Sequence, residues 1–186
     1  MNPENILQGE KVRLTALEKE DMKSLSLWVQ NTHTYRLFDA VPAYPKPARK
    51  WEEWLEEDDK SDSQFSFAIR PLEDDRLIGF CTLEGILWNM GAAWLAIVIG
   101  DPEDRGKGHG REAMKLLLRY SFDELNLYRI QLTVFEYNEK ARNLYEQLGF
   151  RREGAFREFL HRDGKRYDMY LYGLLRPEWE AQERAS

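Results

Sequence analysis

Trp94-Leu95-Ala96-Ile97-Val98-Ile99-Gly100, the polar link Asp101-Pro102-Glu103-Asp104, and then Arg105-Gly106-Lys107-Gly108-His109-Gly110-Arg111 form the stretch around which the chain is organised. A short apolar run ending in glycine reads as a buried strand, and Arg111 to Leu125 has the spacing of a helix. Between them, glycine at every second position removes Cβ bulk, so successive N–H groups can turn toward one point at the positive end of the following helix. That is an anion cradle, and the ligand expected in it carries phosphate. The competing reading is a glycine-rich turn without chemistry.

Upstream, Lys11 to Leu17 alternates apolar and polar residues as a half-buried strand does, and Met22, Leu25, Trp28 and Val29 mark one face of a helix. Asn31 to Ala48 breaks that pattern with Pro42, Pro45 and Pro47 among Tyr35, Phe38, Asp39 and Tyr44, and is expected to be a loop forming a lid or pocket wall. A helix over Ala48 to Asp59 sets Trp51, Trp54 and Leu55 against a run of acidic residues, read as a solvated face. Phe65, Phe67 and Ile69 alternate along a strand that turns at Glu73-Asp74-Asp75 into a second strand, Leu77 to Ile86, and Asn89-Met90-Gly91 turns into the apolar run.

Downstream, Arg129 to Phe135 reads as a strand, so the cradle lies inside a β-α-β unit with parallel strands and a right-handed crossover. Asn138 caps a further helix carrying Ala141, Leu144, Tyr145 and Leu148 on one stripe, and Gly149 suits its left-handed end. Ala155 to His161 and Lys165 to Leu174 flank Asp163-Gly164, a hairpin signal. The expected fold class is α+β: one layered domain with a mixed, mostly antiparallel sheet of about seven strands and about four helices.

With 186 residues, 42% of them hydrophobic, the chain is sized for one domain, and its formal charge of −6 argues against general nucleic-acid binding. DNA is not an expected partner. Cys81 is the one cysteine, so no internal disulfide or multi-cysteine metal site can form, and no metal-ligand spacing occurs elsewhere. No apolar run reaches membrane-spanning length, and Met1-Asn2-Pro3-Glu4 lacks the features of a leader; a cytoplasmic, membrane-free protein is expected.

Two phosphate motifs fail on spacing. A Walker-type loop needs four residues between its glycines and Ser or Thr after the lysine, whereas five separate Gly100 from Gly106 and Gly108 follows Lys107. A dinucleotide fingerprint needs unevenly spaced glycines directly after the strand, and these are evenly spaced and delayed by the polar link. What remains, Arg105-x-x-Gly108-x-Gly110 between strand and helix, resembles the first signature of the GNAT acetyltransferase superfamily. Asn138-Glu139-Lys140-Ala141-Arg142-Asn143-Leu144-Tyr145-Glu146-Gln147-Leu148-Gly149-Phe150 resembles its second signature, at the expected distance. The order of elements matches over nearly the whole chain. The similarity is greatest to the branch holding RimJ/RimL-type ribosomal-protein N-terminal acetyltransferases and spermidine acetyltransferases.

The resemblance implies one GNAT domain over residues 11–176, with 1–10 and 177–186 as terminal extensions, and a sheet whose two central parallel strands splay apart. It implies an acetyl-CoA-dependent N-acetyltransferase acting directly on a primary amine, either a protein N-terminus or a small molecule. A non-catalytic acyl-CoA sensor is the alternative. The backbone of Arg105, Gly106, Lys107, Gly108, His109, Gly110 and Arg111 would hold the pyrophosphate of coenzyme A. Ile97, Val98 and Ile99 would pair with its pantetheine arm, a peptide N–H near Val98 or Ile99 serving as oxyanion donor. Asn138 would help hold the cofactor, and Tyr145 would protonate the departing thiolate, although the apolar stripe also suits a packed tyrosine. The general base stays open between Glu84, Asp39 and a water chain leading to either, because Ala93-Trp94 stands where many members of the branch carry a carboxylate. Asp39 is the one acidic residue in the first loop, which argues against a polyamine acceptor. A homodimer through exposed sheet edges is possible for such a fold.

Overall fold

The computed structural model describes residues 5–184; residues 1–4 and 185–186, at the tips of the two expected extensions, lie outside the described residues. One seven-stranded sheet has the spatial order β1-β2-β3-β4-β5-β7-β6. Its strands are β1 (Val12–Thr15), β2 (Phe65–Pro71), β3 (Gly79–Leu87), β4 (Ala92–Ile99), β5 (Arg129–Phe135), β6 (Arg151–Arg162) and β7 (Lys165–Leu175). Every neighbouring pair is antiparallel except β4 with β5, which is parallel.

The helices are α1 (Met22–Gln30), α2 (Thr32–Phe38), α3 (Ala48–Asp58), α4 (His109–Arg119), α5 (Glu139–Gln147) and α6 (Arg176–Glu183). Two of these six exceed the expected four. α2 occupies the first part of the segment read as a loop. All three prolines of that segment fall after residue 41, and the Asn31 side chain accepts from Thr34 N at 3.2 Å, an N-cap that starts a helix. α6 lies in the expected C-terminal extension, where Trp179 is buried and stacks on Phe122 with ring centroids 5.0 Å apart. At the other end Leu7 packs against the core and Gln8 bridges to Arg13. The helix expected to reach Leu125 changes to π geometry over Tyr120–Glu124, where Ser121 Oγ donates to Leu117 O at 2.7 Å. β6 is longer than the span Ala155 to His161, and its hairpin to β7 turns at Asp163 (φ 51°) and Gly164 (φ 75°), as the Asp-Gly pair dictates.

Side-chain alternation along the strands divides the core between two faces. On one, Cys81, Leu83 and Leu95 join Met114, Leu117 and Leu118 of α4, with Tyr145 and Leu148 of α5 in the same cluster. On the other, Phe80 and Val98 meet Met22 and Leu25 of α1 and Leu55 of α3. β4 thus has a helical layer on either side, whereas β5 buries Ile130, Leu132 and Val134 on one face and carries the half-buried Arg129, Gln131 and Thr133 on the other. Among the described residues no helix is long and apolar enough to cross a membrane.

Candidate active site

β4 and β5 pair at only three positions, Ala92 with Arg129, Ala93 with Ile130 and Trp94 with Gln131. Beyond Trp94 they part, while β3 stays paired with β4 as far as Ile99 and β7 with β5 as far as Phe135. The sheet is therefore split from Leu95 onward, and one side of β4 has backbone groups with no strand to meet them. Gly100 N donates to Ile78 O at 3.0 Å, so in the antiparallel alternation the peptide groups of Val98 and Ala96 turn toward β3. The position of Val98 O agrees, since a Cβ on Gly79 of β3 would lie 2.1 Å from it. The groups facing the split are those of Leu95, Ile97 and Ile99. Of the three strand residues expected to pair with a ligand, Ile97 and Ile99 present their peptides to the split, whereas Val98 presents a buried side chain to the α1–α3 face.

The glycine loop closes the end of this split. Gly106 (φ 78°) and Gly108 (φ 90°) adopt left-handed conformations, and a Cβ on Gly106 would meet nothing within 4 Å, so the loop surface is open. Gly108 caps α4, and the first bond of the helix runs from Glu112 N to Gly108 O at 3.1 Å. The N–H groups of His109, Gly110 and Arg111 thus precede the helical ladder, at the positive end of the dipole.

The loop's side chains do three different things. Arg105 turns inward: its Nε donates to Ile99 O at 3.0 Å, and its Nη2 to Gly100 O at 2.9 Å and to Thr34 Oγ1 of α2 at 3.1 Å. Burial holds its guanidinium below the ordinary arginine value. Arg105 is a latch joining the end of β4 to α2, and it takes up the carbonyl of Ile99. Lys107 leans toward Asp104 at 3.7 Å. Asp104, 2% exposed beneath the loop, also receives both ends of the Arg76 guanidinium, and Arg76 holds its carboxyl below the usual carboxylate range. Arg111 is exposed and makes no ion pair among the described residues. His109 Nδ1 is enclosed without a partner.

Sequence reasoning missed Lys11. Its Nζ donates to Lys107 O at 3.2 Å and lies 3.3 Å from the place a Gly108 Cβ would occupy, adding a cation at the cradle's flank. Glu112 sets it there: one carboxylate accepts from the backbone N–H of Glu10 (2.9 Å), Lys11 (2.8 Å) and Val12 (2.7 Å), pinning the chain before β1 to α4. The partners are about a hundred residues apart, and no local pattern announces them.

Tyr145 sits on α5, its ring 7% exposed, between Phe150 (6.0 Å) and Tyr172 (6.4 Å). Burial pushes its phenol up to about 12. The hydroxyl has no hydrogen-bond partner among the described residues and keeps slight contact with solvent. Asn138 spends both ends of its amide within the protein: Oδ1 accepts from Ala141 N at 3.3 Å and Nδ2 donates to Leu37 O of α2 at 3.2 Å. It orients α5 against α2.

Asp39 and Glu84 separate on geometry. Asp39 is committed to its own loop, accepting from Tyr35 OH (3.1 Å) and Val41 N (3.1 Å). Glu84 lies across from Trp94 at the apex of the split and shares a face of β3 with Phe80 and Thr82. Its carboxyl has no hydrogen-bond partner among the described residues. Surrounding protein first, then the negative charge of Asp58, hold it above the ordinary carboxylate range while its side chain remains open to solvent.

A parted pair of parallel strands ending at the open N-terminus of a helix is the arrangement an acyl-coenzyme A-dependent transferase requires. The chain belongs to the acetyltransferase (GNAT) domain family, which matches residues 14–171. It is 29% identical to the SPbeta prophage-derived uncharacterized N-acetyltransferase YokL of Bacillus subtilis, over 92% of this chain and 94% of the relative. It is 25% identical to the [ribosomal protein uS5]-alanine N-acetyltransferase of Escherichia coli, over 91% and 93%. Spermidine N-acetyltransferase from Vibrio cholerae, solved in complex with CoA and spermine, superposes with a TM-score of 0.82 at 28% identity, covering 91% of this chain and 98% of that one. The chain is an enzyme that transfers the acetyl group of acetyl-CoA to an amine. Nothing in these relatives supports a non-catalytic sensor.

Proposed function

We propose that this enzyme acetylates a primary amine by direct transfer within the split between β4 and β5. The observation that carries the reading is the parting of those strands beyond Trp94 directly above the N-terminus of α4. Acetyl-CoA supplies an acetyl group activated as a thioester. The cradle suits its pyrophosphate: the N–H groups of His109, Gly110 and Arg111 point out of the helix end, the glycines leave the approach clear, and Lys11 and Lys107 stand beside it. The carbonyls of Leu95 and Ile97, which face the split, pair with the pantetheine amides. The N–H of Ile97 or Ile99, rather than that of Val98, serves as oxyanion donor.

Glu84 takes a proton from the bound substrate ammonium, leaving a neutral amine whose lone pair attacks the thioester carbon, and its raised carboxyl is poised nearer neutral pH than an ordinary glutamate. Tyr145 gives a proton to the leaving thiolate; at about 12 it stays protonated across the working range. Arg105 and Asn138 act as positioning residues through Ile99 and α5. No acyl-enzyme forms, because Cys81 is fully buried and its thiol is pushed far up by burial.

The proposed setting is the cytoplasm. The outer edge of β6, with Phe156 and Phe159 about half exposed, is the proposed surface for a homodimer, which sedimentation would detect. The function is tested by incubating the protein with acetyl-CoA and a panel of amino acids, polyamines, aminoglycosides and N-terminal peptides while free thiol is measured. Release with one amine class is expected. Binding of NAD or ATP in preference to coenzyme A would refute the reading of the loop.

A further inference from the structure

A cavity of about 120 Å³ lies where α2, the segment after β5 and the β6–β7 turn converge, walled by His33, Arg36, Tyr137, Arg162, Asp163 and Tyr167. Its position ties it to the reaction centre. Tyr137 directly precedes Asn138, the cap of the helix that carries Tyr145, and α2 is held by Arg105 of the glycine loop through Thr34. The lining is stiff: Tyr137 OH donates to Arg36 O, the Tyr137 and Tyr167 rings meet edge to face at 5.2 Å, and Arg162 Nη2 donates to the carbonyls of Asp39 (3.1 Å), Ala40 (2.9 Å) and Val41 (3.2 Å).

Charge and hydrogen bonding there run against the chain's net charge of −6. Two guanidinium groups face one carboxylate, and that carboxylate, on Asp163, is 75% exposed and bonded to Arg36 Nη2 at 2.9 Å. Arg162 Nε is enclosed and makes no hydrogen bond of its own, while the rest of the guanidinium holds the three carbonyls and lies against the Tyr137 hydroxyl, so one charged donor there is left without an acceptor. The volume holds a carboxylate with a few carbon atoms, and a planar carboxylate matches what a guanidinium edge recognises. A polyamine would bring cations against Arg36 and Arg162.

We propose that this cavity binds a carboxylate of the acceptor, so that the preferred substrate is an amine bearing an acidic group rather than a polyamine. The inference rests on the acetyltransferase reading. The carboxylate belongs either to a free amino acid or to an acidic residue near a peptide N-terminus.

The test measures thiol release from acetyl-CoA by the intact protein with acceptor pairs differing only at the carboxylate. One arm compares amino acids with their amides. A second compares peptides carrying Asp or Glu at the second or third position with their Asn or Gln counterparts, and spermidine is the cationic reference. The acidic member of one pair should exceed its amide by tenfold or more in kcat/KM, chiefly through KM, and the pair that responds names the source. Arg162→Lys should shrink that ratio below about threefold. Because Arg162 also anchors residues 39–41, Arg36→Gln, which leaves those three bonds intact, should shrink it as well. Equal rates within every pair, or spermidine above all of them, overturn the inference and leave the acetyltransferase standing. Absence of thiol release with every amine overturns both.

Discussion

Replacing Tyr145 by phenylalanine separates chemistry from packing at the one position where both readings are strong. The ring is buried between Phe150 and Tyr172, and Tyr145→Phe keeps it. The hydroxyl makes no hydrogen bond among the described residues, so its removal should change stability at neutral pH by no more than about 0.5 kcal/mol. If the hydroxyl delivers the proton to the leaving thiolate, kcat should fall by roughly 10²–10⁴-fold, with the affinity for acetyl-CoA nearly unchanged. A second signature lies in alkaline stability. Burial raises the phenol from about 10 to about 12, so the folded state resists its ionisation. Below pH 10 the group is neutral in both states and costs nothing. Between about pH 10 and 12 the unfolded chain ionises first, and stability of about 3 kcal/mol is lost. Tyr145→Phe should lose less stability than the parent across that window by about this amount, read from denaturant unfolding followed by circular dichroism. Thiol release gives kcat, and calorimetry gives acetyl-CoA affinity. Turnover within about twofold of the parent would refute the catalytic role and return Tyr145 to the core.

Glu84→Gln should lower kcat by tenfold or more and remove the acidic limb of the pH–rate profile. In the parent that limb should lie above the ordinary carboxylate range, because surrounding protein and Asp58 raise the group; an unmoved limb in the variant would assign the proton to another acceptor. Gly79→Ala places a Cβ 2.1 Å from Val98 O, a backbone atom that cannot rotate away, so β4 must shift. Thermal unfolding should show about 1–3 kcal/mol lost, and acetyl-CoA affinity should fall with it; a variant as stable as the parent would contradict the close strand approach. Glu112→Ala strands the three N–H groups of Glu10, Lys11 and Val12 and should cost about 3 kcal/mol in denaturant unfolding, with weakened coenzyme A binding as Lys11 leaves the loop. Equal affinity in that variant would remove Lys11 from the cradle.

The sequence by itself determined whatever is decided within a few neighbouring residues. The apolar run from Trp94, the glycines at 106, 108 and 110, the Asp163-Gly164 turn and the Asn138 cap carry their conformations in local sterics and hydrogen bonding, and each stands where the sequence placed it. Even there, conspicuous residues obscured quieter ones. The prolines drew residues 31–48 together as a loop although Asn31 caps a helix, and the polar sequence of α6 hid the anchoring Trp179.

Tertiary structure decided which groups face the site. Whether Val98 or its neighbours aim their peptides into the split is a matter of phase, set by the bond from Gly100 to Ile78 across to β3, and one residue of register reverses it. Arg105, read as part of the phosphate loop, spends its side chain on Ile99, Gly100 and Thr34, the last of them seventy-one positions away. Lys11 beside Gly108, Glu84 at the apex beside Trp94, and Arg162 closing a cavity with α2 are likewise products of long-range packing. Local propensity fixes how the backbone turns, but the partner of a side chain is chosen by the fold.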